Sequence, residues 1–171
     1  MKRALLIVAG TLVALLLIVA IVAIIGSLLP QGHVASRERV LAAEPDRVFA
    51  LISTPEDFPT WRSGVQRVEM QPSVEGKTAF REVGSDGTIS YVFDQVVPDQ
   101  RLVSRIAADG LPFGGQWTFE LRAVPEGTAL RITEDGQVYS PIFRFVSRFV
   151  IGHHATIDRY LTDLEVRLGE R

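Results

Sequence analysis

The sequence contains no cysteine. That excludes disulfides, thiolate catalysis and Cys-ligated zinc, and leaves the redox compartment open. No serine lies in a Gly-x-Ser-x-Gly elbow, so a nucleophilic triad has no starting residue. Gly110-Leu111-Pro112-Phe113-Gly114-Gly115 lacks a following Lys-Ser/Thr and is no P-loop. It reads as a hairpin loop with an apolar tip at Leu111, Pro112 and Phe113. An excess of basic charge is also missing. With Lys2 and Arg3 set aside, 16 basic residues face 20 acidic ones, a net charge of −4. A nucleic-acid partner would need a basic surface. A second long hydrophobic run is absent, which excludes a polytopic transporter.

One such run is present. Ala4 to Leu29 is a 26-residue stretch without charge, and it accounts for the mean hydropathy of +0.20. As a helix it reaches about 39 Å, against roughly 30 Å of bilayer hydrocarbon. A cleaved signal peptide has an apolar region of about 7 to 15 residues and an A-x-A-like site. Ser27-Leu28-Leu29-Pro30 is not such a site. The run is read as an uncleaved signal anchor over residues 4–29, the alternative being a long signal peptide removed near Ala35. Lys2, Arg3 and the terminal amine put residues 1–3 in the cytoplasm. The rest then lies on the periplasmic or extracellular side of the cell membrane, although Arg37 and Arg39 weaken the charge asymmetry. Residues 30–34 are expected to be a short linker that holds the domain close to the bilayer.

The remaining residues, 35–171, suit one globular domain with a core. Ser36 to Ala43 is read as a first strand. Pro45 opens a helix with an apolar face of Val48, Phe49, Leu51 and Ile52. A second short helix runs from Thr54 to about Trp61. Six strands follow over 65–70, 78–83, 89–97, 101–107, 116–124 and 128–138, separated by Gly, Pro, Asp and Ser turn signals. Connections this short imply antiparallel neighbours. Trp117, Phe119 and Leu121 alternate with Gln116, Thr118, Glu120 and Arg122, so one face of the sheet is buried. From Ser140-Pro141 to about Leu168, apolar residues recur at steps of three and four and predict one long helix. The whole is α+β, a curved antiparallel sheet of about seven strands wrapped around that helix.

This order, with particular residues, resembles the START-like, helix-grip superfamily, in its polyketide cyclase/dehydrase and lipid-transport (SRPBCC) branch. Glu44-Pro45-Asp46-Arg47-Val48-Phe49 resembles the family's acidic-Pro opening. Phe58-Pro59-Thr60-Trp61 with Val65 and Val68-Glu69 resembles its Pro-x-Trp segment. Gly115 to Leu121 and Gly127 to Glu134 resemble its last two strands. The resemblance covers about residues 34 to 168 and rests on the ordered set rather than on one motif. It implies a cavity between sheet and helix that receives an apolar or amphipathic small molecule. The N-terminal span is an addition to the usual soluble pattern. No cofactor is implied.

Candidate site residues follow. Glu134 shares parity with Leu130 and Ile132, so it either faces the cavity as an acid, base or ligand-fixing group, or sits exposed or Arg-paired at the strand end. His153 lies on the apolar stripe, as a satisfied core histidine or a polar cavity group. These two are the candidate acid/base pair of a cyclase or dehydratase. His154 and Asp158 share a helix face, the minimum for a metal pair, but no third ligand is evident and no metal site is read. Arg81 and Glu82 must point to opposite faces. Trp61, Tyr91, Phe93, Trp117, Phe119, Phe145 and Phe149 are the candidate cavity lining, with ordinary core as the alternative. Three functions are weighed: membrane-anchored binding of a hydrophobic or lipid-like molecule, an acid/base enzyme, and an interaction domain with a filled cavity. Whether any reaction is catalysed stays open.

Overall fold

The computed structural model describes residues 2–85, 87–108 and 110–169. A helix α1 (Lys2–Leu28) leads into strand β1 (Gly32–Leu41). Helix α2 (Pro45–Ser53) and a 3-10 turn (Pro55–Thr60) follow. Then come β2 (Val65–Val74), β3 (Lys77–Gly84), β4 (Gly87–Val97), β5 (Arg101–Ile106), β6 (Phe113–Val124) and β7 (Gly127–Val138). The chain ends in a short helix α3 (Pro141–Val146), a π-helical segment (Ser147–Ile151) and α4 (Ala155–Leu168).

The seven strands form one antiparallel sheet in the order β1-β7-β6-β5-β4-β3-β2. Short turns join β2 through β7, and β1 closes on the far side of β7. Register shifts in β2 and at Phe93/Gln95 insert bulges that increase twist and bend the sheet. Its concave face buries Phe80, Leu102, Phe119, Leu130 and Ile132. Against it α4 lays Ile157, Tyr160, Leu161 and Leu164, and α2 lays Val48, Phe49 and Ile52. Ion pairs Arg37–Asp158 and Arg39–Glu165 tie β1 to α4 along the rim. This is the α+β helix-grip architecture.

Two expectations need correction. The helix expected from 140 to 168 is not continuous. Gly152 takes φ +81°, a left-handed conformation that L side chains rarely adopt. Its N–H donates to Ser147 O, closing a wide π turn, and α4 restarts only at Ala155. The apolar recurrence runs straight across this break, so spacing alone reads through it.

The linker expected at residues 30–34 is mostly strand. Gly32, His33 and Val34 pair with Gln137, Gly136 and Asp135 at the free edge of β7. Edge pairing satisfies backbone groups that a loop would leave to water. Only Leu29 to Gln31 separate α1 from the sheet, a tighter coupling than the sequence implied.

None of α1's apolar window is buried within the protein, and the helix is long and apolar enough to cross a membrane. Near its end it meets α3. A Cβ on Gly26 would lie 1.8 Å from Pro141 O, so the two backbones touch there. Arg144 Nη1 donates to Leu29 O at 2.8 Å and fastens α3 to the same end.

Candidate functional site

Between the concave face and α4 lies a cavity of about 320 Å³. Its walls begin with the strand alternation. Trp117 and Phe119 on β6, Phe80 on β3, and Tyr91 and Phe93 on β4 point inward. Their rings contact one another: Phe80–Phe93 at 5.1 Å, Phe80–Tyr91 at 5.5 Å and Trp117–Phe119 at 6.0 Å between centroids. Ser104 on β5 stands between Phe93 and Trp117 in register and leaves room there. The opposite parity, Arg105, Gln116 and Asp135, borders an open hollow on the outer face.

Polar side chains line the cavity at an inner and an outer region, with Arg159 and Asp163 of α4 also on its wall. The inner region is an ion pair between Arg62 and Glu82. The Arg62 guanidinium lies over the Phe58 ring at 4.8 Å and the Tyr160 ring at 5.0 Å. Burial pulls the Arg62 pKa down, but Glu82, Tyr160 and Tyr91 more than offset that and hold it above the usual arginine value. Burial pushes the Tyr160 phenol up. At neutral pH the guanidinium of this region is therefore charged and the phenol beside it neutral. Of the adjacent Arg81 and Glu82, Glu82 is the one that faces inward.

The outer region is built from β1, β7 and the residues after Gly152. Glu134 on β7 pairs in register with Ala35 on β1 and Trp117 on β6. Its Oε1 lies 3.4 Å from His33 Nε2, and the His33 ring stacks on His153 with centroids 4.0 Å apart. Glu134 Oε2 is buried and accepts no hydrogen bond of good geometry among the described residues, although the Trp117 indole lies near enough to favour the carboxylate. Desolvation raises the Glu134 pKa, partly offset by the Trp117 indole and by His154. Desolvation lowers that of His33, partly offset by Asp135. It also lowers that of His153, helped by the neighbouring His33, Arg148 and His154. Both sides of the His33–Glu134 contact thus move towards neutrality. Burial therefore weighs against the charged form on both sides of this contact.

The candidate residues fall into three groups. Tyr91, Phe93, Trp117 and Phe119 line the cavity, as do Glu134 and His153. Trp61 does not: it is buried behind the wall, edge-on to Tyr160 at 5.2 Å. Phe145 and Phe149 do not either. They contact each other at 5.0 Å, and Phe149 is 59% exposed. The cause is the break at Gly152, which lets the segment before it lean on α1 instead of on the sheet. Phe143, Ser147 and Ile151 form the cavity wall in their place. Asp158, the possible partner of His154, receives Arg37 instead. His33, Arg62 and Tyr160 had no assigned role. Extending the first strand back to Gly32 would have exposed the parity of His33. Nothing in the sequence flags Arg62.

An apolar cavity gripped between a curved sheet and a C-terminal helix defines the START-like class. The chain belongs to the family described as polyketide cyclase / dehydrase and lipid transport, whose profile matches residues 33–167. Family membership carries a ligand-binding or cyclase-type function. No curated protein sequence matches the chain. Among solved structures it is similar to the di-domain ARO/CYC StfQ of the steffimycin biosynthetic pathway, at TM-score 0.65 and 16% identity over 82% of this chain. It spans only about half, 52%, of that di-domain protein. A START superfamily protein from Mycobacterium smegmatis matches at TM-score 0.64 and 16% identity, over 81% of this chain and 98% of that one. The Zhui aromatase/cyclase from Streptomyces sp. R1128 matches at 0.63 and 12%, over 81% and 93%. At these identities the likeness is one of fold.

Proposed function

We propose that the protein is a membrane-anchored binder of a hydrophobic or lipid-like small molecule. The ligand sits in the cavity between sheet and α4, and α1 is a single-pass anchor with its N-terminus in the cytoplasm. The observation that carries this reading is the combination of aromatic walls with one buried polar atom, Glu134 Oε2, that accepts no hydrogen bond of good geometry among the described residues. Ligand pockets are mostly apolar with a few placed polar groups, and their volumes start at about 300 Å³. A cavity of about 320 Å³ sits at that lower end and weighs against the filled interaction domain. The Glu134 carboxyl would bond a hydroxyl or other polar group on an otherwise apolar ligand. Organic extraction of the purified full chain, followed by mass spectrometry, tests this. An apolar molecule in stoichiometric amount is expected, and an extract with no more than detergent and bulk lipid composition would refute it.

A second reading has its own support. Glu134 and His153 are separated by one imidazole, His33, and all three line the cavity. A carboxyl with a raised pKa and imidazoles with lowered ones are an acid and bases of opposite resting state, as cyclisation with dehydration needs. In this reading Glu134 gives a proton to a leaving hydroxyl and His153 or His33 removes one from carbon. A ligand released unchanged from the cavity favours binding; a ligand returned with the mass of one water lost favours the enzyme.

A further inference from the structure

Residues 141–151 touch the cavity and α1 on one side, yet much of their apolar surface is left uncovered. Phe149, Val150 and Ile151 are 59%, 71% and 62% exposed, and Ile142 and Phe143 are 43% and 52% exposed. No such cluster of neighbouring apolar side chains is common on a water-facing surface, and contiguous exposed patches mark interaction sites. The charge around it has one sign. From Gly136 to Ile157 there is no Asp or Glu, while Arg144 and Arg148 lie within that stretch.

The position of the segment selects its partner. It is held at the end of α1 by the Gly26–Pro141 backbone contact and by the Arg144–Leu29 bond. About 20 helical residues cross the hydrocarbon, and α1 has 27, so its last turn emerges at the interface. The segment therefore leaves the anchor at headgroup depth. An apolar face next to basic residues at that depth fits an anionic bilayer surface. Phe143, Ser147, Ile151 and Gly152 of the same segment form the cavity wall. The starts of β1 and β6 and the end of β7 lie at this end of the sheet too.

We infer that the segment 141–151 is a second membrane contact, seated in the interface of the bilayer that holds α1, and that it sets the cavity's mouth against the lipid. Phe149, Val150 and Ile151 enter the acyl boundary, with Arg148 at the phosphate level. An apolar ligand then passes between bilayer and cavity without crossing water. This rests on the anchored reading of α1.

The absence of cysteine allows a direct test with single-cysteine labels on the full chain. Val150→Cys, Leu16→Cys and Glu126→Cys each carry the environment-sensitive fluorophore NBD, in vesicles of phosphatidylcholine and phosphatidylglycerol. Glu126 lies exposed in the β6–β7 turn, at the far end of the sheet. Spin-labelled lipids with shallow or deep quenchers are then added. At position 150 a blue-shifted emission and strong shallow quenching are expected, at a depth of roughly 5–10 Å. Position 16 is expected to respond to the deep quencher and position 126 to neither. Quenching at 16 without quenching at 150 overturns the second contact and leaves the anchor standing. Quenching at 150 alone supports the contact and overturns the anchor. Quenching at neither overturns both.

Discussion

Removing one partner of the inner ion pair should be far more damaging than removing both. Arg62 and Glu82 side chains are only 21% and 11% exposed, so little solvent is available to replace either partner. Glu82→Gln leaves a buried guanidinium uncompensated. Breaking a buried pair in this way costs about 3–5 kcal/mol. Arg62 keeps its contacts over Phe58 and Tyr160, which retain about 1–2 kcal/mol for a desolvated cation. The expected net loss is therefore about 1–4 kcal/mol. For a domain of this size each kcal/mol lowers Tm by roughly 2–4 °C, so a fall of about 2–16 °C is expected. The double variant Arg62→Met/Glu82→Leu removes both charges and should lie near the wild type or above it. The assay is thermal and urea unfolding of the detergent-solubilised chain, followed by the fluorescence of Trp61 and Trp117. A Glu82→Gln loss under about 1 kcal/mol would refute the reasoning, because it would mean the cavity is wet enough to screen the pair.

Two further outcomes follow from the outer region and from α1. The His33 and His153 pKa values lie below their unfolded value, so their contribution is complete above about pH 6.5 and is lost as pH falls through the lowered values. That of Glu134 lies above its unfolded value, so ionisation penalises the fold at neutral pH and protonation relieves it. Glu134→Gln should raise the urea midpoint near pH 7, and the gain should shrink as pH falls towards about 4.5. A gain that grows on acidification would contradict this sign. Gly26→Leu drives a side chain into Pro141 O and should displace α3, costing about 1–3 kcal/mol and opening Arg144 and Arg148 to trypsin. Gly10→Leu, with nothing within 4 Å, is the control and should change neither.

The sheet was legible in the sequence because alternation reports burial directly. Trp117, Phe119 and Leu121 face inward as their spacing implies, and the parity of Leu130 and Ile132 carried Glu134 to the cavity. The C-terminal helix was legible only in part. A mid-helix glycine costs about 1 kcal/mol and is often tolerated, so Gly152 does not declare a break by itself. The break accompanies the tertiary contact of α3 with α1, and helical periodicity cannot distinguish a stripe facing a sheet from one facing another helix. Phe145 and Phe149 were misplaced for that reason. His33 was hidden because Pro30-Gln31-Gly32 reads as loop punctuation, while the open edge of β7 recruits it into a strand. Arg62 was hidden because a charged residue after a turn reads as surface, and of its partners only Phe58 is local, while Glu82 comes from β3 and Tyr160 from α4.

The central claim is that the cavity is occupied by an apolar molecule, and one measurement addresses it most directly. Ser104 is small and lies on the wall between Phe93 and Trp117. Ser104→Phe should fill the space without touching α1. Native mass spectrometry of both proteins, released from the same membranes, compares their bound mass. The wild type should carry a discrete adduct of one small apolar molecule, and Ser104→Phe should fly without it while keeping its folded charge-state distribution. An identical spectrum for the two, with no adduct or with the same adduct, would contradict a ligand-holding cavity.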